Sequence, residues 1–150
     1  MTAQETFDHL ISGDYQRVKD GSWSVINNRY HKAFIQPFIE HLPLIHEKTD
    51  NLDMGGGMVL SNKRFVDCAL KTIELHRDGN QCPCVLHREL ECFNPDTEEG
   101  SGHIMVIDRV FTDTRYIDYF IVECKHCHAR YKVTENDYHF RYWNWDPIAD

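Results

Sequence analysis

The first half of the chain carries apolar residues at the three- and four-residue intervals that are typical of amphipathic helices. Thr2 and Glu5 have capping-box spacing, so the apolar positions over 7–11 predict a short opening helix that ends before Gly13. Turn-forming residues at 20–22 separate it from a longer predicted helix, which continues to Ile35. Pro37 is expected to break or kink that helix because proline lacks the amide donor and clashes with the preceding turn.

Two more helical regions are predicted before the character of the chain changes. Pro43 interrupts the apolar pattern, so residues 38–48 are expected to form one or two short helical pieces. A serine cap at Ser61 and apolar positions through Leu75 predict a final helix that ends near Gly79.

After Gly79 the pattern changes to short β-like runs and alternation. Residues 85–86 are a short strand candidate, and 94–102 are an expected acidic loop. Residues 103–111 and 116–123 predict a hairpin, 129–134 a strand with one solvated face, and 138–145 an aromatic continuation. The predicted fold class is therefore α+β. N-terminal helices (1–79) are expected to pack on a C-terminal antiparallel β sheet (80–150) within one compact domain.

The composition is that of a globular chain, with 41% apolar and 27% charged residues among 150. The first residues show no basic start followed by an apolar stretch, and no run approaches the ~18 apolar residues of a membrane span. A cytoplasmic location is the resulting expectation. Thiols stay reduced there, so six cysteines favour metal ligands over disulfides.

Two cysteine pairs bracket the predicted hairpin, Cys82-Pro83-Cys84 and Cys124-Lys125-His126-Cys127. Zn²⁺ prefers four tetrahedral ligands, and thiolates separated by a tight turn can reach one ion. Over residues 81–134 this arrangement resembles a zinc-ribbon domain. The resemblance implies a structural Zn²⁺ held by Cys82, Cys84, Cys124 and Cys127, which braces the sheet.

The chain departs from the zinc-ribbon pattern at both pairs. Pro83 alone separates the first two cysteines, and His128 stands where a ribbon usually has glycine. Other ligand sets therefore stay open: Cys92 or His87 in place of one member of the first pair, and His126 or His128 from the second.

The residue patterns favour a binding protein over an enzyme. Four thiolates would close the zinc coordination shell, whereas a catalytic zinc keeps an open position. The second pair lies between predicted strands, not at the helix start that lowers a thiol pKa in redox proteins. The chain also lacks a His-Glu-x-x-His motif and a recognisable pairing of nucleophile and base.

Charge is concentrated in the β half. The formal net charge is −8, and residues 91–150 hold 12 acidic and 6 basic residues, a balance of −6. Such a surface repels phosphate backbones and attracts basic proteins, although it also serves solubility. Four acidic residues recur along the predicted hairpin, and two tryptophans in the aromatic tail are interface candidates with core packing as the alternative. These partner-binding candidates are Asp108, Asp113, Asp118, Glu123, Trp143 and Trp145.

The first functional hypothesis is a non-enzymatic, zinc-containing binding protein. Its concrete form is an immunity or inhibitor protein that neutralises a basic protein toxin such as a nuclease, with no nucleic-acid or membrane partner. The alternative is a zinc-ribbon module in transcription or RNA processing, which the −6 balance disfavours. A zinc hydrolase ranks third because it needs His or carboxylate ligands.

Overall fold

The computed structural model describes residues 1–55, 61–112 and 117–149. The chain divides into two compact units, Met1–Leu86 and His87–Asp150. Helices make up the first unit, and a four-stranded antiparallel sheet dominates the second. The α+β class with N-terminal helices and a C-terminal sheet is therefore confirmed.

The described residues of the first unit form five α-helices. Their bounds are α1 Ala3–Leu10, α2 Tyr15–Asn27, α3 Lys32–Ile39, α4 Leu42–Thr49 and α5 Lys63–Asp78. Apolar side chains from all five are buried together, among them Leu10, Val25, Ile35, Ile45 and Ile73. Within the described ranges, the helices are too short or too polar to cross a membrane.

The opening helix begins as its sequence predicts. Thr2 Oγ1 accepts a hydrogen bond from the Glu5 amide at 3.1 Å, and the Thr2 amide donates to Glu5 Oε2 at 2.7 Å. The backbone hydrogen bond from Thr2 lowers the pKa of Glu5 because it stabilises the charged carboxylate.

The turn predicted at residues 20–22 is wrong, because these residues lie inside α2. Asp14 caps that helix instead, accepting from the Arg17 amide at 3.0 Å. Gly21 has a packing role: a Cβ there would lie 3.2 Å from Leu10 Cγ and 3.2 Å from the Thr6 carbonyl oxygen. The glycine therefore lets α1 and α2 approach closely.

The two prolines lie in helices whose bounds differ from the predicted ones. The long helix through Ile35 is divided at residues 28–31, so α2 ends well before Pro37. Pro37 then lies inside the eight-residue α3, where it removes one amide donor from a helix that ends two residues later. Pro43 occupies the first turn of α4, where the missing donor has no intrahelical partner to lose. The prediction of short helical pieces over 38–48 is confirmed.

The final helix of the first unit closely follows its prediction. It starts at Lys63, whose amide donates to Ser61 Oγ at 3.2 Å. It ends at Gly79, which has a φ of 67° in the left-handed region that glycine adopts at helix ends.

The segment between α5 and the sheet differs from its prediction. Residues Pro83–Arg88 form a 3-10 helix where a short strand was expected, with the Val85 amide bonded to the Cys82 carbonyl at 3.2 Å. The expected acidic loop contains a short helix, α6 (Pro95–Gly100), capped by Asn94. Asn94 as cap and Pro95 at the first helical position explain this start.

The sheet consists of β1 Ile104–Phe111, β2 Ile117–Cys124, β3 Arg130–Tyr138 and β4 Phe140–Pro147, in the order β1-β2-β3-β4. Val122 pairs with both Val106 and Tyr131, so the predicted hairpin and third strand are confirmed. One face is buried, as the low exposure of Phe120, Val133 and Trp145 shows.

We predict that Gly21→Ala destabilises the first unit by about 1 kcal/mol. The clash of the new methyl with Leu10 and the Thr6 carbonyl outweighs the helix propensity that alanine gains. Urea unfolding measures the change. Gly100→Ala is the matched control, because nothing lies within 4 Å of its Cβ position. A higher urea midpoint for Gly21→Ala would contradict the close-packing role.

Candidate metal centre

The four predicted zinc ligands come from two short stretches of backbone. Cys124 is the last residue of β2, and Cys127 lies in the turn that leads to β3. Cys82 follows α5, and Cys84 lies in the 3-10 helix. Pro83 starts this 3-10 helix and is the single residue between Cys82 and Cys84.

The four sulfur atoms converge. The Sγ atoms of Cys82, Cys84, Cys124 and Cys127 all lie within 4.8 Å of one another. Four sulfurs around one zinc ion at about 2.3 Å would be about 3.8 Å apart. The observed limit is within about 1 Å of that value, a difference that side-chain rotation covers. The cluster can therefore hold a metal ion.

Backbone hydrogen bonds shape the turn that carries Cys124 and Cys127. The Cys124 amide donates to the Ala129 carbonyl at 2.8 Å, and the His128 amide donates to the Cys124 carbonyl at 2.9 Å. The His126 amide donates to Cys124 Sγ at 3.4 Å. An N–H aimed at sulfur favours a negatively charged thiolate, which is the form that binds a metal.

His128, which stands where a zinc ribbon usually has glycine, has an unusual backbone conformation. His128 has a φ of 66°, the left-handed conformation that glycine adopts without cost. The backbone at His128 thus has a shape in which glycine is the usual residue. A non-glycine residue in this conformation costs roughly 1–2 kcal/mol.

The four cysteines differ in exposure. Cys84 and Cys124 are fully buried at 0% exposure, Cys82 is half-buried, and Cys127 is exposed. One side of the cluster is therefore accessible to solvent. The donor set consists of thiols alone, which suits a soft or borderline cation such as zinc and completes a tetrahedral shell.

The alternative ligands are not members of the cluster that the described residues form. Cys92 is exposed and lies outside it. His87 is buried between Phe93 and Trp145, with ring centroids 4.9 and 4.5 Å away, and its Nε2 lies 3.7 Å from Glu98. His128 Nδ1 lies 3.8 Å from a carboxylate oxygen of Glu123.

His126 pairs with His103, a neighbour that the sequence analysis did not identify. His103 Nδ1 and His126 Nε2 are 3.1 Å apart, and their ring centroids are 5.4 Å apart. The two nitrogens thus lie nearly on the line between the rings, which is the geometry of a hydrogen bond and not of two lone pairs converging on a metal. The antiparallel register of β1 and β2 brings the two histidines together, since Ile104 pairs with Cys124.

Three of the four acidic candidates lie within the described residues, and they differ in exposure and in strand pairing. Asp108 and Asp118 are exposed, whereas Glu123 is half-buried and accepts a hydrogen bond from Arg130 at 3.1 Å. Asp108 pairs with Ile121, and Glu123 with Met105, so both acids lie on the sheet face opposite Phe120. Asp118 falls at an irregularity and has no partner in the register. Asp113 lies outside the described residues.

The two tryptophans proposed as interface anchors are buried. Trp143 is 9% exposed and Trp145 is 3% exposed. The Trp145 indole Nε1–H donates to the Phe93 carbonyl at 2.9 Å, and the Trp143 amide donates to the Glu91 carbonyl at 3.0 Å. Both side chains are thus packed inside the unit, which is the core alternative that the sequence left open.

No family model, curated protein or solved structure matches the chain.

We predict that the backbone at His128 tunes metal affinity. His128→Gly should keep or raise the affinity for Co²⁺, whereas His128→Val should lower it by about tenfold, because a β-branched residue is strained at positive φ. Competition with a chelator, monitored by the optical absorption of Co²⁺ bound at the site, measures the affinity of both variants. His139 also has a φ of 66°, but it lies between β3 and β4. His139→Val is therefore the matched control, and an equal affinity loss in that variant would contradict the prediction.

Proposed function

We propose that the cysteine cluster binds one Zn²⁺ as a structural ion. The approach of four sulfur atoms to within 4.8 Å is the observation that carries this proposal. Four thiolates would fill the tetrahedral shell and leave no position for water or substrate, which is the arrangement of structural zinc sites. The ion would stabilise the folded chain because the unfolded chain has no preformed site.

We propose further that the protein acts by binding and not by catalysis, as an inhibitor of a basic protein such as a nuclease toxin. The concentration of negative charge supports this proposal, with a balance of −6 over residues 91–150. Complementary charge accelerates the encounter with a basic protein and repels nucleic acid. Asp108 and Asp118 are the exposed acidic residues among the described members of the predicted set.

We predict that Cys127→Ser abolishes stoichiometric zinc binding and lowers the melting temperature of the protein. Cys92→Ser should retain one zinc per chain, because Cys92 is also exposed but lies outside the cluster. Elemental analysis of purified protein and thermal unfolding with and without a chelator measure both effects. Equal zinc content in the two variants would refute the structural site.

We predict that the zinc-loaded protein captures a basic protein from its native host in stoichiometric amount. Association should slow as salt rises, and the variant carrying Asp108→Lys and Asp118→Lys should associate more slowly while it melts at the same temperature. Surface plasmon resonance of the captured protein measures the rates. Nucleic acid retained at about 0.15 M salt would contradict the inhibitor proposal and favour the nucleic-acid alternative.

A further inference from the structure

We propose that Cys127 is an oxidation site through which a small peroxide releases the metal from the cysteine cluster. The oxidant is hydrogen peroxide or a hydroperoxide of similar size, and the product is a disulfide between Cys127 and Cys124. This inference rests on the proposed zinc site and names how that site is regulated. It goes beyond a structural role, because the stability that the metal supplies then depends on the oxidant concentration.

The four cysteines of the cluster differ in how well an oxidant can reach them. Cys127 is exposed and Cys82 is half-buried, whereas Cys84 and Cys124 are fully buried. A structural cysteine that is enclosed on all sides is inert, while an accessible thiolate reacts with oxidants. Cys127 is therefore the member of the cluster that a small peroxide meets first.

Cys127 is in its reactive form while it serves as a metal ligand. The nucleophile toward peroxide is the thiolate, and a coordinated thiol is deprotonated. Residues 125–128 are all exposed, and Lys125 adds a positive charge to this turn. Accessible thiolates beside basic residues are typical of reactive cysteines. Cys127 therefore does not need the helix start that activates thiols in redox enzymes.

The oxidation consists of two steps and consumes one peroxide. The Cys127 thiolate attacks the peroxide, so that an S–O bond forms, the O–O bond breaks and hydroxide leaves. The Cys124 thiolate then attacks the Cys127 sulfur, so that the disulfide forms, the S–O bond breaks and a second hydroxide leaves. Two protons from solvent convert both hydroxides into water. The two sulfur atoms lose two electrons in total, and the two peroxide oxygens gain them.

Cys124 is the resolving thiol because it shares a turn with Cys127. The Cys124 amide donates to the Ala129 carbonyl at 2.8 Å, and the Cys124 carbonyl accepts from the His128 amide at 2.9 Å, so backbone hydrogen bonds close the turn. The two sulfur atoms lie within 4.8 Å of each other. Rotation about the side-chain bonds of both cysteines shortens this separation to the roughly 2 Å of a disulfide.

The disulfide removes two of the four donors of the cluster. Cys82 and Cys84 remain, and two thiolates fall short of the tetrahedral shell of a structural zinc site. The metal is then lost to competing ligands, together with the stability that it gives the folded chain. A dithiol reductant reverses the reaction by thiol–disulfide exchange, in which it becomes a cyclic disulfide and returns two electrons to the cysteines.

The probe for this proposal is hydrogen peroxide, added to the zinc-loaded protein in the presence of a chromogenic zinc chelator. We expect the release of one zinc per chain and the loss of two thiols. Peptide mapping by mass spectrometry should assign the new disulfide to Cys124 and Cys127. Dithiothreitol with added zinc should restore both thiols and the original melting temperature.

The decisive variant is Cys127→His, which keeps a zinc ligand at this position and removes the exposed thiol. It should release zinc at least about tenfold more slowly than the original protein at the same peroxide concentration, because the accessible thiolate is absent. Cys92→Ser is the matched control, since Cys92 is also exposed but lies outside the cluster. This control should release zinc at the original rate. Disulfide mapping of the original protein keeps the test valid if Cys127→His binds no zinc.

Four results would overturn the inference and leave the structural zinc site intact. They are zinc that stays bound in excess peroxide, zinc release without a disulfide, a disulfide that excludes Cys127, and equally fast release from Cys127→His. A purified protein that contains no zinc and binds none when it is added would instead refute the proposed metal site, and this inference with it.

Discussion

Four sulfur atoms within 4.8 Å of one another impose the strongest physical constraint on this chain. As thiolates they would repel one another strongly, and the repulsion is greatest where Cys84 and Cys124 are shielded from water. A divalent cation removes that repulsion and converts the cluster into a source of stability. In the turn after β2, the His126 amide points at Cys124 Sγ and the backbone at His128 adopts a glycine-like conformation. These features belong to the same few residues, so the backbone conformation of the turn and the cysteine donor set are consistent with each other.

The elements that local sequence patterns can specify were predicted correctly, and those that depend on distant contacts were not. Alternation of apolar and polar residues identified β1, β2 and β3, and the capping residues located α1 and the end of α5. The cysteine spacing identified the four residues that converge. Gly21 was misread as a turn residue because its role is the approach of α1, which lies outside its own segment. Pro43 was misread as an interruption, although it lies in the first turn of α4. The sequence around a proline does not tell whether it interrupts a helix or starts one, because that depends on where the preceding helix ends.

The segment between His87 and His103 explains why the aromatic tail belongs to the core of its unit. Its backbone follows the free edge of β4, where Glu91 accepts from Trp143 and Phe93 accepts from the Trp145 indole. Farther along the chain, Glu99 of α6 reaches the other edge of the sheet at Val106. One segment therefore accepts hydrogen bonds from backbone amides at both edges of the sheet. Fewer free amides remain there to pair with the strands of another chain. The tail sequence alone cannot reveal this, since alternating aromatic residues suit an interface and a core equally well.

Burial of Trp143 and Trp145 changes what a partner of this protein would have to contact. Complementary charge mainly accelerates encounter and selects the partner, whereas affinity comes from well-packed apolar anchors. The exposed acids alone would therefore give fast but weak association. Because the tryptophans are packed inside the unit, its described apolar side chains with enough exposure to serve as anchors are Met105, Ile107, Phe111, Phe140 and Ile148. Met105, Ile107 and Phe111 lie on β1, which pairs directly with β2, and the last residue of β2 is the cluster cysteine Cys124. Loss of a metal from the cluster would then loosen β2 and, through the pairing of the strands, the exposed apolar side chains of β1.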